Sequence, residues 1–264
     1  MSSQDLVSIA KLSRIAALKM VSKSKTAHIG SSLSVIDIAV QLFSQIKLDN
    51  ETGRNSNVVL VSKGHAAAGI YAVMAHFGLI PFTLLDEYCQ NGGAIGGHIT
   101  TTNVPVLELS TGSLGHALPF GVGRAFAKKN MGLSGDIYVI LSDGECDEGS
   151  NWEAALLASH LKLNNLKVVI DRNGLQSLGE TENTLGLEPL GDKWKAFGWK
   201  VNKINGHDFN DLAKITQPST LIGPTVFIAQ TKKGCGVSFM ENSVAWHYKS
   251  PNDFELANSI VELE

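Results

Sequence analysis

Residues 136–176 read DIYVILSDGECDEGSNWEAALLASHLKLNNLKVVIDRNGLQ, and the fold class follows from where the apolar residues stop. Ile137, Val139, Ile140 and Leu141 form a short β-rich run that ends at Ser142-Asp143-Gly144, small residues that permit a sharp turn. A helical pattern follows from about Gly149 to Leu161, with Trp152, Leu156, Leu157 and Leu161 on the side expected to be buried. Leu166 to Ile170 is a second buried strand, and it delivers Asp171-Arg172-Asn173-Gly174 at its end. Two parallel strands joined by a helix bring both turns to the same carboxyl edge, where open α/β sheets bind their ligands.

Asp143 and Asn173 are then hard oxygen donors separated by about one strand spacing of roughly 5 Å, or a small multiple of it. With the carbonyl of Leu175 they suit Mg²⁺ carrying a diphosphate, with Ca²⁺ or Mn²⁺ as substitutes. Gly144 and the amides that open the next helix can approach phosphate oxygens closely.

The rest of the chain extends the same pattern. Residues 4–23 carry a helical period at Leu6, Ile9, Ala10, Leu12, Ile15, Ala16 and Met20. A Gly/Ser segment, SKSKTAHIGSSLS, precedes a second expected helix from Ser34, as its cap, to Ile46. Asn57 to Val61 reads as a buried strand running into Ser62-Lys63-Gly64-His65 and a helix from Ala66 to Phe77. Residues 92–115 are glycine-rich and irregular, a length at which loops are functional or disordered, and they enter a helix from His116 to Lys129. Gly191 to Phe197, Gly198 to Asn205, Asp208 to Thr216 and Thr225 to Gln230 then alternate helix, strand, helix, strand. The expectation is one α/β domain over residues 1–264, a doubly wound, mostly parallel sheet flanked by helices.

Composition bounds the function. The 264 residues are 44% hydrophobic, enough to bury a large core, and a formal charge of −3 without basic clusters argues against a nucleic-acid partner. Cys89, Cys146 and Cys235 lack zinc or disulfide spacing, and Cys146 reads as a buried small hydrophobe. No run approaches a membrane span and no secretory leader opens the chain, so a cytoplasmic location is expected.

Asp143-Gly144 with downstream Asn173 resembles the thiamine diphosphate signature. Glu148, Trp152-Glu153-Ala154 and Asn173-Gly174, with AHIGSSLSVIDIAVQLF, SKGHAAAGIYAVMAHFG and Gly112-Ser113-Leu114-Gly115, look specifically like transketolases over roughly residues 5–251. The resemblance implies that His28, His98 and His247 face substrate and that His65 and His247 contact the diphosphate. It also places Gly112, Ser113 and Leu114 beside the cofactor rings, assigns Asp143, Gly144, Glu145 and Asn173 to cofactor binding, and gives Asp143, Asn173 and Leu175 to the metal. Glu148 becomes a subunit-interface acid. Ile99-Thr100 after His98, Tyr248 after His247, and His116 in place of a usual Gln depart from the family pattern.

In that family a glutamate on a second, pyrimidine-binding domain activates the cofactor, and no carboxylate here matches it. The resemblance therefore implies the N-terminal subunit of a split, two-chain transketolase. A partner chain would supply the pyrimidine-binding domain in an α2β2 heterotetramer. It would transfer a two-carbon ketol unit between sugars or sugar phosphates. The alternatives are a split transketolase for a branched or sulfonated sugar, a 2-oxo acid dehydrogenase first component, a deoxyxylulose-phosphate synthase-like enzyme, and a non-catalytic scaffold.

Overall fold

The computed structural model describes residues 1–46, 57–218 and 222–264. Five parallel strands, β1 (Val58–Val61), β2 (Ile137–Ser142), β3 (Leu166–Arg172), β4 (Lys200–Asn205) and β5 (Thr225–Gln230), form one sheet in the order β1-β2-β3-β5-β4. The central strands are apolar at successive positions because both faces are covered, as parallel sheets require. Tyr138, Ile140, Val169 and Phe227 enter one core, and Ile137, Val139, Leu141, Val168 and Ile170 enter the other. Strand β4 lies at the sheet's edge and is accordingly half exposed.

One face is covered by α1 (Ser3–Ser24), α2 (Ile29–Phe43) and α3 (Ala67–His76). The other carries α4 (Ala117–Asn130) and α5 (Gly149–His160). Short helices α6 (Thr181–Thr184), α7 (Leu190–Ala196) and α8 (Phe209–Leu212) fill the later crossovers. A last helix, α9 (Asp253–Leu263), absent from the sequence reading, is closed by an Asn252–Glu255 capping box and packs on α1. Residues 92–115 hold neither helix nor strand, as expected of that glycine-rich stretch.

Two expectations need correction. Helix α2 begins at Ile29 rather than after Ser34, with His28 as its cap in the left-handed region at φ 73°. All fifteen residues of α2 are buried, and Ser34 donates from inside the helix to the Ser31 carbonyl (3.1 Å) and to Asp171 Oδ2 (2.6 Å). Small polar residues that read as loop are there because tertiary partners hold the helix against the sheet, and packing overrides propensity.

In α5 the buried positions are Asn151, Ala154, Ala155 and Ala158, whereas Leu156 and Leu157 are 62% and 49% exposed. Alanines let α5 lie close against α4, and the Ala155 carbonyl accepts from Trp199 Nε1 at 2.9 Å. Of the expected inner residues, Trp152 and Leu161 do pack against the core, partly buried, whereas Leu156 and Leu157 do not. No helix among the described residues is long and apolar enough to cross a membrane.

Candidate functional site

The carboxyl ends of β1, β2, β3 and β5 open into a cavity of about 710 Å³, its mouth included. At the tip of β1, Lys63 turns inward and is buried. Its Nζ donates to the Ser31 carbonyl and to Ser34 Oγ, both at 3.0 Å, and forms an ion pair with Asp171 at the end of β3. Burial pushes the Asp171 carboxyl up, but Lys63, Ser34 and Thr231 outweigh it and bring the group below its ordinary value. Gly64 follows, and a Cβ there would stand 2.5 Å from the Thr111 carbonyl. Only glycine lets the 111–115 segment cross this turn.

Residues Ser142 and Asp171 pair across β2 and β3, so Asp143 and Asn173 leave neighbouring strand ends, as the sequence spacing requires. Asp143 Oδ1 accepts from the Gly144 amide at 2.8 Å, and Oδ2 accepts from the Gly174 amide at 2.7 Å and Arg172 Nη1 at 3.2 Å. Burial and the nearby Asp171 charge raise the Asp143 carboxyl despite these donors, so a cation there would relieve an otherwise costly buried charge. Asn173 Oδ1 accepts from the Leu175 amide at 3.1 Å. The Leu175 carbonyl faces Lys233 Nζ at 3.2 Å.

Lysines 63 and 233 both line the cavity, and sequence reading assigned neither. Lys63 lies inside the quoted SKGH segment, but a lysine in a polar turn looks like any solvated one. Lys233 Nζ also meets His247 Nδ1 at 3.0 Å, and burial together with the Lys63 charge lowers its pKa to about 8. Ser31, Gln176 and Ser177 complete this wall.

Four histidines from separate segments line the same cavity. The His28 ring centroid lies 5.4 Å from His65, 5.7 Å from His98 and 5.0 Å from His247. The His28 amide donates to the His247 carbonyl at 2.8 Å, which ties the α2 cap to the 244–247 turn. Burial and the neighbouring charged groups lower His28 to about 4 and His247 to about 3, and they hold His65 well below its usual value. Neutral imidazoles can both accept and return hydroxyl protons.

Of the residues singled out from sequence, His28, His65, His98, Gly112, Leu114, Asp143, Gly144, Asn173, Leu175 and His247 line this one cavity. Three do not. Ser113 is exposed, and Glu148 is exposed at the start of α5. Glu145 is fully buried behind the wall, where Oε1 accepts from Ser62 Oγ and the Gly115 amide (2.8 Å) and Oε2 from the Ser142 amide (3.2 Å). Its contribution is a clasp between the tips of β1 and β2 and the glycine loop. All three donors lie on the protein side, and Glu145 does not line the cavity. His116 is likewise exposed, bonded through Nδ1 to the Leu114 carbonyl at 2.8 Å.

Asp37, His207 and Cys235 place potential metal-ligand atoms within 4.8 Å of one another, away from the cavity. The Lys232 amide donates to His207 Nε2 at 2.9 Å, which puts the ring proton on Nδ1, 2.6 Å from Asp37 Oδ2. Arg14 already spans both Asp37 oxygens, at 3.0 and 2.5 Å. With its proton and carboxylate committed in this way, the cluster is a structural clamp.

One carboxylate, one amide oxygen and one peptide carbonyl form an all-oxygen donor set that fits a small divalent cation. Lys233, backed by the positive charge of Lys63 whose three N–H donors are taken by Ser31, Ser34 and Asp171, fits the phosphates that cation would carry. A Cβ at Gly144 would meet Gln176 Cγ at 2.8 Å, so glycine is what lets the Gln176 side chain lie over this turn.

Comparison with known proteins agrees with this chemistry. The family described as the transketolase thiamine diphosphate binding domain matches residues 6–258. The chain is 40% identical over 244 residues to an apulose-4-phosphate transketolase subunit from Actinobacillus succinogenes, covering 90% of this chain and 87% of that protein. It is 34% identical over 265 residues to a 6-deoxy-6-sulfo-D-fructose transketolase subunit from a Clostridium species, covering 98% and 96%. A transketolase structure from Campylobacter jejuni superposes with a TM-score of 0.90 at 26% identity, over 100% of this chain and 43% of the other. Against such longer transketolases the chain spans less than half their length. The chain therefore belongs to the transketolase family, whose thiamine diphosphate binding domain it carries over residues 6–258.

Proposed function

We propose that this chain is the diphosphate-binding subunit of a two-chain transketolase, moving a two-carbon ketol unit from a ketose donor to an aldose acceptor. The observation that carries the reading is the convergence of Asp143, Asn173 and the Leu175 carbonyl with Lys233 and neutral histidines on one cavity. Asp143, Asn173 and Leu175 would hold Mg²⁺, with His65, Gly144 and Lys233 on the diphosphate and Gly112 and Leu114 against the rings. Thiamine diphosphate supplies the carbanion chemistry that breaks and remakes the bond next to a ketose carbonyl. His28, His98 and His247 stand where donor and acceptor hydroxyls must shed and regain protons. Their depressed basicity keeps His28 and His247 neutral for that task near pH 7.

The relatives of similar length are named as subunits. That supports a partner chain, which on our proposal carries the pyrimidine-binding domain in a cytoplasmic α2β2 assembly. Their named sugars favour a specialised donor, a branched or sulfonated ketose or its phosphate, over the common pentose phosphates. The test is a donor screen on the assembled pair, with calorimetry of thiamine diphosphate uptake in the presence of Mg²⁺. Asp143→Ala should abolish magnesium-dependent uptake. Unchanged uptake by that variant would refute the proposed site.

A further inference from the structure

His98 stands in the stretch 92–115, which holds neither helix nor strand, so no regular element fixes where its imidazole is presented. The main chain around it is held from three directions instead. The Ile99 amide donates to the Gly64 carbonyl at 3.1 Å, and the Ile99 carbonyl accepts from the Thr111 amide at 3.0 Å. The third direction is a side chain. Tyr71, on α3 and 0% exposed, donates its hydroxyl to the His98 carbonyl at 3.1 Å and accepts on the same oxygen from the Thr100 amide at 3.0 Å.

One phenol oxygen therefore spans the segment centred on Ile99, satisfying a carbonyl on one side and an amide on the other. Burial pushes the Tyr71 hydroxyl up to about 12, so it keeps the proton it donates. Deleting that oxygen would leave two main-chain polar groups without these partners, which favours a different backbone path. The buried Ile99 side chain enters the same core as Tyr71. Gly64 leads directly into His65 and Thr111 into Gly112, and the His98 ring rests on Gly112, where a Cβ would stand 3.2 Å from Cδ2. His65, His98 and Gly112 thus share one frame. Tyr71 braces that frame from behind, since it does not itself line the cavity.

We infer that Tyr71 is a positioning residue for His98: its hydroxyl pins residues 98–100 so that the imidazole is presented to the hydroxyl groups of the sugar substrates. The inference rests on the proposed role of His98 in this cavity.

The experiment compares wild type, Tyr71→Phe, His98→Ala and the double variant in the assembled complex at saturating thiamine diphosphate and Mg²⁺. It reads donor kcat/KM, with cofactor uptake by calorimetry alongside. Tyr71→Phe should lower kcat/KM about tenfold, the scale of one buried hydrogen bond, and leave cofactor affinity within about threefold. In the His98→Ala background the same change should cost less than about threefold, because the group it aims is gone. A tenfold loss repeated in that background, an equal loss of cofactor affinity, or no loss in Tyr71→Phe overturns the inference and leaves the reading of His98 standing. Undiminished turnover in His98→Ala sinks both. If Tyr71→Phe does not fold, hydrogen exchange in the wild-type complex decides: the Thr100 amide should exchange slowly, and exchange at the rate of an open loop refutes the bond on which the inference stands.

Discussion

Replacing Asp171 by Asn is the sharpest single perturbation of this framework. Its side chain and that of Lys63 are 0% and 1% exposed, so the pair exchanges no charge with solvent. Asp171 Oδ2 also accepts from Ser34 Oγ at 2.6 Å, and Oδ1 accepts from Thr231 Oγ1. Asn keeps the shape but leaves the Lys63 ammonium buried without a counter-charge, facing only neutral acceptors such as the Ser31 carbonyl and Ser34 Oγ, each at 3.0 Å. Breaking a buried pair in this way costs about 3–5 kcal/mol. With a urea slope of about 3 kcal/mol/M the midpoint should fall by about 1–1.7 M. The double variant Lys63→Met/Asp171→Asn removes the stranded charge and should recover part of that loss.

The sign with pH follows from the depressed Asp171 carboxyl. Its stabilisation is present above the unfolded-state value of about 3.9 and is lost as pH falls through the lower folded value. The gap between wild type and Asp171→Asn should therefore be constant from pH 5 to 8 and close only under stronger acid. A midpoint shift at pH 7 corresponding to less than about 1 kcal/mol, the range of an exposed pair, would refute the argument.

Other outcomes can be checked in parallel. Lys233→Met should weaken thiamine diphosphate uptake by the assembled complex by about tenfold or more, the loss of a charge-assisted bond, read by fluorescence titration. The depressed His28 and His247 make stability fall as pH drops from about 6.5 towards 4, because the unfolded chain then binds more protons; His28→Asn/His247→Asn should flatten that slope in melting curves. Ala155→Leu, on the fully buried face of α5, should overpack the core there and cost about 1–3 kcal/mol in urea unfolding, whereas Leu156→Gln at an exposed position should change stability by under about 0.5 kcal/mol. Glu145→Gln should lower cofactor affinity without direct contact, since one of its three donors would face an amide N–H; an unaltered affinity would show that the clasp does not hold the glycine loop.

Much of the framework was legible in the sequence. Apolar runs ending in Ser142-Asp143-Gly144 and Asp171-Arg172-Asn173-Gly174 locate two parallel strands and their polar ends, because strand length, turn residues and crossover geometry are local properties. The same logic brings His65 to the end of β1. The resemblance to transketolases added His28, His98 and His247, whose segments carry no local signal of convergence. What the sequence could not disclose is which partner each polar atom takes. The composition of residues 24–34 reads as loop, yet burial makes most of it helix. The leucines of α5 look like its inner face, yet alanines take the buried side, where they let it lie close against α4. Lys63, Lys233, Arg172 and Glu145 look like ordinary charged residues, and their roles arise from groups 29 to 108 positions away that folding alone brings within bonding distance. Charge placement in a buried site depends on desolvation and on long-range partners, and a linear string specifies neither until the chain has packed.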